Sequence, residues 1–334
     1  MKTKNKILAL LEQHRGESIS GAVIAKELGL TRATVWKAVA ALREEGYNIS
    51  SANKRGYTLS EDNDILSYES IAPYLCDENI ASRFYLFKCL ESTNKTAKEM
   101  AANGCAHGTI IMADSQTQGK GRYGRGFYSP PGTGLYMSFV FNSPGLYFQN
   151  PSLITASAAV AVCEAIEAVS GKSATIKWVN DILLNGKKVC GILTEAMTDV
   201  ETGNFQWVVL GIGINVCHKS FPKDIQSFAG SVYDEGDETQ KGPKRDKLAA
   251  EIINRCLPLK SWLEDESLFH KYKERSAILG EKITVVRQNE QYEAKALDIN
   301  KDGSLVVKKE NGEVVAVHSA EVSVKMVSKR VIIL

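Results

Sequence analysis

The chain has 334 residues, 44% of them hydrophobic, enough for two or three domains, each with its own core. Its 41 Lys and Arg nearly balance 39 Asp and Glu, so total charge points to no partner class. The seven cysteines, odd in number, scattered and never spaced C-x-x-C, exclude a disulfide framework or a zinc site and fit a reducing cytoplasm.

Met-Lys-Thr-Lys-Asn-Lys before a short apolar run has the outline of a signal peptide, but Glu12, Gln13, His14 and Arg15 interrupt it. No uninterrupted apolar stretch approaches a membrane span, so a soluble, cytoplasmic protein without membrane attachment is expected. Ile7, Leu8, Leu10 and Leu11 predict an amphipathic first helix. Ser18 or Ser20 caps a second running to Leu28, and Thr31 caps a third in which Val35, Val39 and Leu42 recur up to Gly46. Two short strands, 47–51 and 56–59, flank Asn53-Lys54-Arg55.

Ala25, Gly29 and Val35 supply the small crossing residue, the φ-tolerant turn residue and the apolar anchor of a helix-turn-helix at its usual spacing. Residues 1–60 carry ten basic side chains against five glutamates, the footprint of a polyanion partner. With Lys54 and Arg55 at a hairpin tip, the module reads as a winged helix. Its DNA-facing set is Thr31, Arg32, Thr34, Lys37, Lys54 and Arg55. A small helical domain for protein contacts is the plainer alternative. Trp36 either stacks on DNA sugar or packs against the hairpin, and packing is favoured because large aromatics more often bury area. Glu61-Asp62-Asn63-Asp64 reads as a linker, closing a domain at 1–64.

From 65 to 276 strands (83–88, 109–113, 135–142, 192–196, 207–214) and helices (93–103, 152–170, 244–262) mix without a repeating βαβ unit, which favours α+β. From 277 to 334 five short strands (282–286, 292–299, 304–309, 314–317, 322–326) separated by turns such as Lys301-Asp302-Gly303 predict a small β-barrel. There is no internal repeat and no low-complexity tract.

The densest signal lies within the central region. Gln118 is followed by Gly119-Lys-Gly-Arg-Tyr-Gly-Arg125, a basic, glycine-rich loop too polar for a core. Glycines let backbone N–H groups approach a phosphate while Lys120, Arg122 and Arg125 surround it with charge. It formally satisfies G-x-G-x-x-G, but polar Asp114-Ser115-Gln116-Thr117 precedes it and Pro130-Pro131-Gly132 follows. No acidic residue appears about twenty positions on, so a dinucleotide fold is rejected. Nor is it a P-loop, because the Gly-Lys-Ser/Thr ending is missing. A solvated basic loop is the plainer alternative.

This loop, Glu91-Ser-Thr-Asn94, Lys177-Trp-Val-Asn-Asp181, Gly186-Lys-Lys-Val-Cys-Gly191 and Gly211-Ile-Gly-Ile-Asn215 together resemble the biotin protein ligases. With the winged helix ahead of them, the chain is similar to the bifunctional ligase and biotin operon repressor subset. Lys120, Phe127 and Val179 depart from the family's usual Arg, Trp and Pro. The resemblance implies an α+β multidomain fold: winged helix, class II synthetase-like mixed α/β ligase domain at 65–276, and SH3-like barrel at 277–334.

It also implies that biotin and Mg-ATP form biotinyl-5'-AMP, which a lysine on the biotin carboxyl carrier domain of acetyl-CoA or pyruvate carboxylase then attacks. Adenylate-dependent homodimerisation on operator DNA would follow. Implied biotin contacts are Ser92, Thr93, Asn94, Gln116, Gly119, Lys120, Gly121, Arg122, Lys188 and Gly191. Implied nucleotide contacts are Lys120, Arg122, Arg125, Asn180, Asp181, Lys188, Gly213 and Asn215. Lys188 and Arg122 are the implied catalytic cations, and no fixed protein metal site is implied. Ser92-Thr93-Asn94 also suits a helix cap, and Asn180 a local turn. A lipoate or octanoate ligase and a ligand-sensing transcription factor remain alternatives. The polar Ser92–Asn94 and Gln116 set argues against the first, retention of Lys188 and Arg122 against the second.

Overall fold

The computed structural model describes residues 2–52, 56–142, 151–198, 201, 205–218, 220–233, 244–258, 265, 267–287, 290–318 and 320–324. Three helices, α1 (Thr3–Gln13), α2 (Gly21–Leu28) and α3 (Arg32–Glu44), precede an antiparallel pair, β1 (Ile49–Ala52) and β2 (Gly56–Leu59). Of the two serines offered as caps, Ser20 accepts from Val23 N at 3.2 Å, and Thr31 caps α3 by accepting from Thr34 N at 3.2 Å. Gly29, at φ 64°, ends α2 in the left-handed conformation that the tight turn requires. Ile7, Leu11, Ile24, Val35, Leu42 and Leu59 form a core separate from the rest of the chain.

Two expectations for this module change. Trp36 is 61% exposed rather than packed on the hairpin: it follows Val35, so helical periodicity turns it onto the outer face with Arg32, Ala33 and Lys37. The acidic stretch 61–64 is a fixed seam rather than a free linker. Asn63 is buried; Arg15 Nη1 donates to its carbonyl at 2.6 Å, and its Oδ1 accepts from Asn48 N at 3.1 Å. Lys54 and Arg55 lie outside the described residues.

The central elements are α4 (Tyr68–Ile71), β3 (Phe84–Phe87), α5 (Thr93–Ala102), β4 (Thr109–Ala113), β5 (Gly134–Asn142), α6 (Pro151–Ser170), β6 (Thr175–Lys177), β7 (Asp181–Leu184), β8 (Lys187–Thr198), β9 (Phe205–Asn215), α7 (Lys244–Cys256) and α8 (Leu268–Glu274). The strands form one sheet in the order β3-β4-β5-β9-β8-β7-β6, parallel only between β3 and β4. Along β5 and β9 alternate residues face opposite ways. Met137, Phe139, Leu210 and Ile212 join the large core with α6 and α7, while Val140 and Val209 pack against Ala97 and Ala101 of α5.

At 20 residues α6 is apolar enough to cross a membrane by length and composition, although Glu164 and Glu167 interrupt it, and 67% of its most apolar 18-residue window is buried inside the fold. Its mostly apolar surface reflects packing against the sheet, α7 and α8, with Glu164 and Glu167 paired to Arg255 and Arg275.

The strands β10 (Lys282–Arg287), β11 (Glu290–Ile299), β12 (Leu305–Lys309), β13 (Val314–Val317) and β14 (Glu321–Val324) form an antiparallel sheet in the order β13-β12-β11-β10-β14. Rather than keeping a core of its own, this sheet shares one with the central region: Ile283, Val285, Val307 and Val322 are continuous with it.

Between the winged helix and α7, Arg15 meets Asp246 at 3.1 Å. Burial outweighs that guanidinium and pushes the Asp246 carboxyl up to about 7, so the fold favours the protonated acid. Its stabilising contribution is therefore fully present below the unfolded aspartate range and is lost as pH rises towards 7. Across that window Asp246 should cost the wild type up to about 1.4 kcal/mol per pH unit. Urea unfolding of Asp246→Asn should show a stability advantage over wild type that grows with pH; an advantage independent of pH would contradict this.

Candidate active site

Gly211, Gly213 and Asn215 lie on the α5 face of β9, and Gly191 of β8 is paired with Gly213. Two of these glycines leave room that other groups fill. A Cβ on Gly211 would overlap the Asn94 side chain, and one on Gly213 would stand 2.8 Å from the Phe127 ring. The resulting notch in the sheet forms the floor of a cavity of about 760 Å³. Its walls bring together Ser92, Thr93, Asn94, Gln116, Gly119, Lys120, Gly121, Arg122, Arg125, Asn180, Asp181, Lys188, Gly191, Gly213 and Asn215, which span more than a hundred positions of sequence.

One wall is a network of hydroxyls and amides. Ser138 Oγ, on β5, donates to Asn94 Oδ1 at 2.7 Å, with Thr93 Oγ1 at 2.9 Å. Asn94 Nδ2 donates to Glu195 Oε2 at 2.8 Å and to Leu193 O at 3.3 Å. Both ends of this amide are thus engaged within the protein, so Asn94 frames the wall. Gln116 Oε1 accepts from Thr93 N at 2.8 Å, and its Nε2 donates to Ser129 Oγ at 3.0 Å. Ser129 Oγ donates to Phe127 O at 2.8 Å, which joins this wall to the cationic loop. Ser92 occupies the N-cap position of α5 without a capping side-chain bond, so the helix end does not engage its hydroxyl.

The opposite wall is cationic. Gly121 N donates to Arg125 O, and Phe127 N to Gly119 O, both at 2.8 Å, closing the glycine loop on itself. Arg122 Nη1 donates to Asn180 Oδ1 at 3.1 Å, and its guanidinium lies 4.9 Å from the Tyr123 ring centre. Tyr123 has a left-handed φ of 56°, an unusual and strained conformation for an aromatic residue.

Lys188 reaches Asp181 at 2.7 Å. A β-bulge explains its direction. Ile182 pairs with Cys190 but Leu183 pairs with Lys188, leaving Val189 unpaired. Val189 and Cys190 both enter the core, and Lys188 is turned onto the cavity side. Lys177-Trp-Val-Asn-Asp181 is anchored from behind: Tyr272 OH donates to Val179 O at 3.0 Å and Trp178 Nε1 to Gly303 O at 2.9 Å. Asn180 Nδ2 donates to Ile192 O at 2.9 Å, so its turn role and its place in the cavity coexist.

Ser138, Glu195, Ser129 and Tyr123 were absent from the sequence expectation. Ser138 had a signal, as a hydroxyl in the otherwise apolar run Leu135-Tyr-Met-Ser-Phe-Val-Phe141; Glu195 had none. On the winged helix, Arg32 and Lys37 project from the exposed face of α3, while Thr31 and Thr34 bond to each other at 2.9 Å and serve the helix end. Among the described residues no group of three or more His, Cys, Asp or Glu side chains is arranged to hold a metal.

The architecture defines a class: a DNA-binding-type winged helix joined to a mixed α/β domain with a cation-walled cavity and a small β-sheet domain. Residues 86–215 match the biotin/lipoate A/B protein ligase family, 3–58 an HTH domain and 278–325 the biotin protein ligase C-terminal domain. The chain is 40% identical over 228 residues to the bifunctional ligase/repressor BirA of Bacillus spizizenii, covering 68% of this chain and 69% of that one. It is 26% identical over 266 residues to BirA of Escherichia coli, covering 79% and 78% respectively. The biotin protein ligase from Aquifex aeolicus in complex with biotin and ATP superposes with a TM-score of 0.60 at 27% identity, covering 72% of this chain and 97% of that chain. The chain belongs to the biotin protein ligase family.

Because Ser138 is fully buried and supplies Asn94 Oδ1, Ser138→Ala leaves a buried acceptor without that donor. We expect a loss of about 1–3 kcal/mol in urea unfolding; a variant as stable as wild type would show that this network carries no energy.

Proposed function

We propose that this chain activates biotin with ATP as biotinyl-5'-AMP and transfers biotin to a lysine of a biotin carboxyl carrier domain, such as that of acetyl-CoA or pyruvate carboxylase. With the adenylate bound, it dimerises and represses biotin synthesis genes through its winged helix. The observation that carries this reading is the junction, within one cavity, of the Lys120, Arg122 and Arg125 loop, Lys188 and the Thr93–Gln116 polar wall.

In the first step a biotin carboxylate oxygen attacks the α-phosphorus, the bond to the β-phosphate oxygen breaks, and pyrophosphate leaves. No covalent enzyme intermediate is needed. The barrier comes from bringing two anions together and concentrating charge on phosphorus, so fixed cations and N–H groups are the relevant catalysts. Lys188 lies between the carboxylate and the α-phosphate in this reading, released from Asp181 as the anions enter. Arg122 and Lys120 hold the phosphates, Arg125 flanks them, and Asn180 and Asn215 contact the nucleotide.

Mg²⁺ accompanies ATP as a substrate complex and screens phosphate charge. Asp181 and Asp224, both on the cavity wall, fit the oxygen donors such an ion takes beyond phosphate and water. In the second step the carrier lysine's amine attacks the acyl carbonyl, AMP leaves, and the amine proton passes to solvent.

Biotin's ureido ring presents one acceptor and two donors, and a site must pair them or leave its own polar groups unsatisfied. Thr93, Gln116 and Ser92 match that demand, with Gly119, Gly121 and Gly191 admitting the bicycle and backbone contacts. This favours biotin over lipoate or octanoate, whose chains have no such head to pair.

The decisive experiment incubates the purified chain with labelled biotin, Mg-ATP and a carboxyl carrier domain, and expects labelled carrier; label with octanoate but not biotin would overturn the assignment. Lys188→Ala should lower the rate of pyrophosphate release about 10²- to 10³-fold with the fold intact. An unchanged rate would remove Lys188 from its role. For the winged helix, Lys37→Ala should weaken binding to duplex DNA and reduce the slope of log affinity against log salt by about one; an unchanged slope would place Lys37 off the phosphates.

A further inference from the structure

Arg245, in the first turn of α7, is 3% exposed, and its donors reach three separate segments. Nε donates to Asp64 Oδ2 at 2.8 Å, and Nη2 to the Asp64 carbonyl. Nη1 donates to Asp114 Oδ1 at 2.6 Å and lies 3.5 Å from Gly134 O. The same Asp114 oxygen accepts from Gly132 N at 3.3 Å. Asp114 and Gly132 bracket the stretch that carries Gln116, the cationic loop, Phe127 and Ser129, so one guanidinium fastens the stem of that stretch.

Asp64 ends the seam behind the winged helix, which Arg15 holds through the Asn63 carbonyl at 2.6 Å while also meeting Asp246, the residue next to Arg245, at 3.1 Å. Asn63 Nδ2 in the seam, and Glu12 Oε1 of α1 beside it, are buried without a protein hydrogen-bond partner.

We propose that Arg245 is a positioning residue that joins the stem of the cationic loop to the hinge of the winged helix, so that ordering of the loop on its ligand is passed to the orientation of the DNA-binding domain. This rests on the ligase and repressor reading above and adds the route between its two halves. A guanidinium is planar with donors in fixed directions, so a shift of Asp114 as the loop closes cannot be absorbed without turning the plane that Asp64 shares. A lysine at this position is a single point of charge on a flexible stem and does not hold both carboxylates in one geometry. The coupling element in this proposal is the seam, which Arg245 ties to the loop stem and Arg15 to the winged helix.

The test is hydrogen–deuterium exchange on the full chain with and without biotin plus Mg-ATP, alongside steady-state pyrophosphate release. In wild type, ligand should slow exchange both in the loop, 116–128, and in the seam, 60–66. Asp64→Asn, nearly isosteric, should keep the loop's protection and its kcat but reduce the seam's response about fivefold or more. Arg245→Lys should lose the seam response and raise KM for biotin about tenfold, with a smaller change in kcat. A wild-type seam that ignores ligand while the loop responds, or an Asp64→Asn seam that responds fully, overturns the proposal. A wild-type loop that ignores ligand and releases no pyrophosphate overturns the ligase reading itself, and this inference with it.

Discussion

A missing set of side chains governs the site. Along the α5 face of the central sheet, Gly191, Gly211 and Gly213 interrupt a surface that is elsewhere covered by Val209, Val140 and Ile111. Into that gap come the amide of Asn94 at the start of α5 and the ring of Phe127 at the end of the cationic loop. The sheet is rigid because β5, β9 and β8 are paired over nine or more residues on both sides of β9, so the notch is fixed before any ligand arrives. A β-carbon on Gly211 would displace the Asn94 amide and one on Gly213 the Phe127 ring, and the polar wall and the loop would no longer share one cavity in the same way.

The same rigidity explains how cations are kept ready without collapsing into the core. Arg122 is steadied by Asn180 and its own neighbour's ring, Lys188 by Asp181, and both partners lie on the segment fastened from beneath by Tyr272 and Trp178. Donors held in place need little reorganisation when charge develops, which is the main source of electrostatic catalysis. The bulge at Val189 belongs to this arrangement: a single unpaired residue keeps two apolar side chains in the core and still turns the lysine between them and Lys187 to the other side of the sheet.

Much of this was legible in the sequence where the determinants are local. Caps and a glycine turn define the helix-turn-helix within about thirty residues, and the glycine-cation loop declares itself because no core accepts it. What escaped depends on contacts between distant segments. Nothing near Asn94 announces that Ser138 and Glu195 occupy its amide, and nothing near Glu61-Asp62-Asn63-Asp64 announces that Arg15 and Arg245 turn a linker-like composition into a seam. The short strands β6 and β7 have too few residues for a periodic signal. Trp36 is exposed because its place one residue after Val35 turns it outward, and periodicity outweighs the general tendency of large aromatics to bury area.

Polar contacts at the seam suit a protein with two tasks. The winged helix has a core cluster of its own, separate from that of the ligase domain. Its attachment includes the polar contacts of Arg15 with Asp246 and of Arg245 with Asp64, which are directional and costly to leave half-paired in a buried setting. A hydrophobic joint tolerates small slides at little cost, whereas a forked guanidinium between two carboxylates distinguishes one orientation from another. That discrimination lets a change at the loop stem select among orientations of the DNA-binding domain while both cores stay intact.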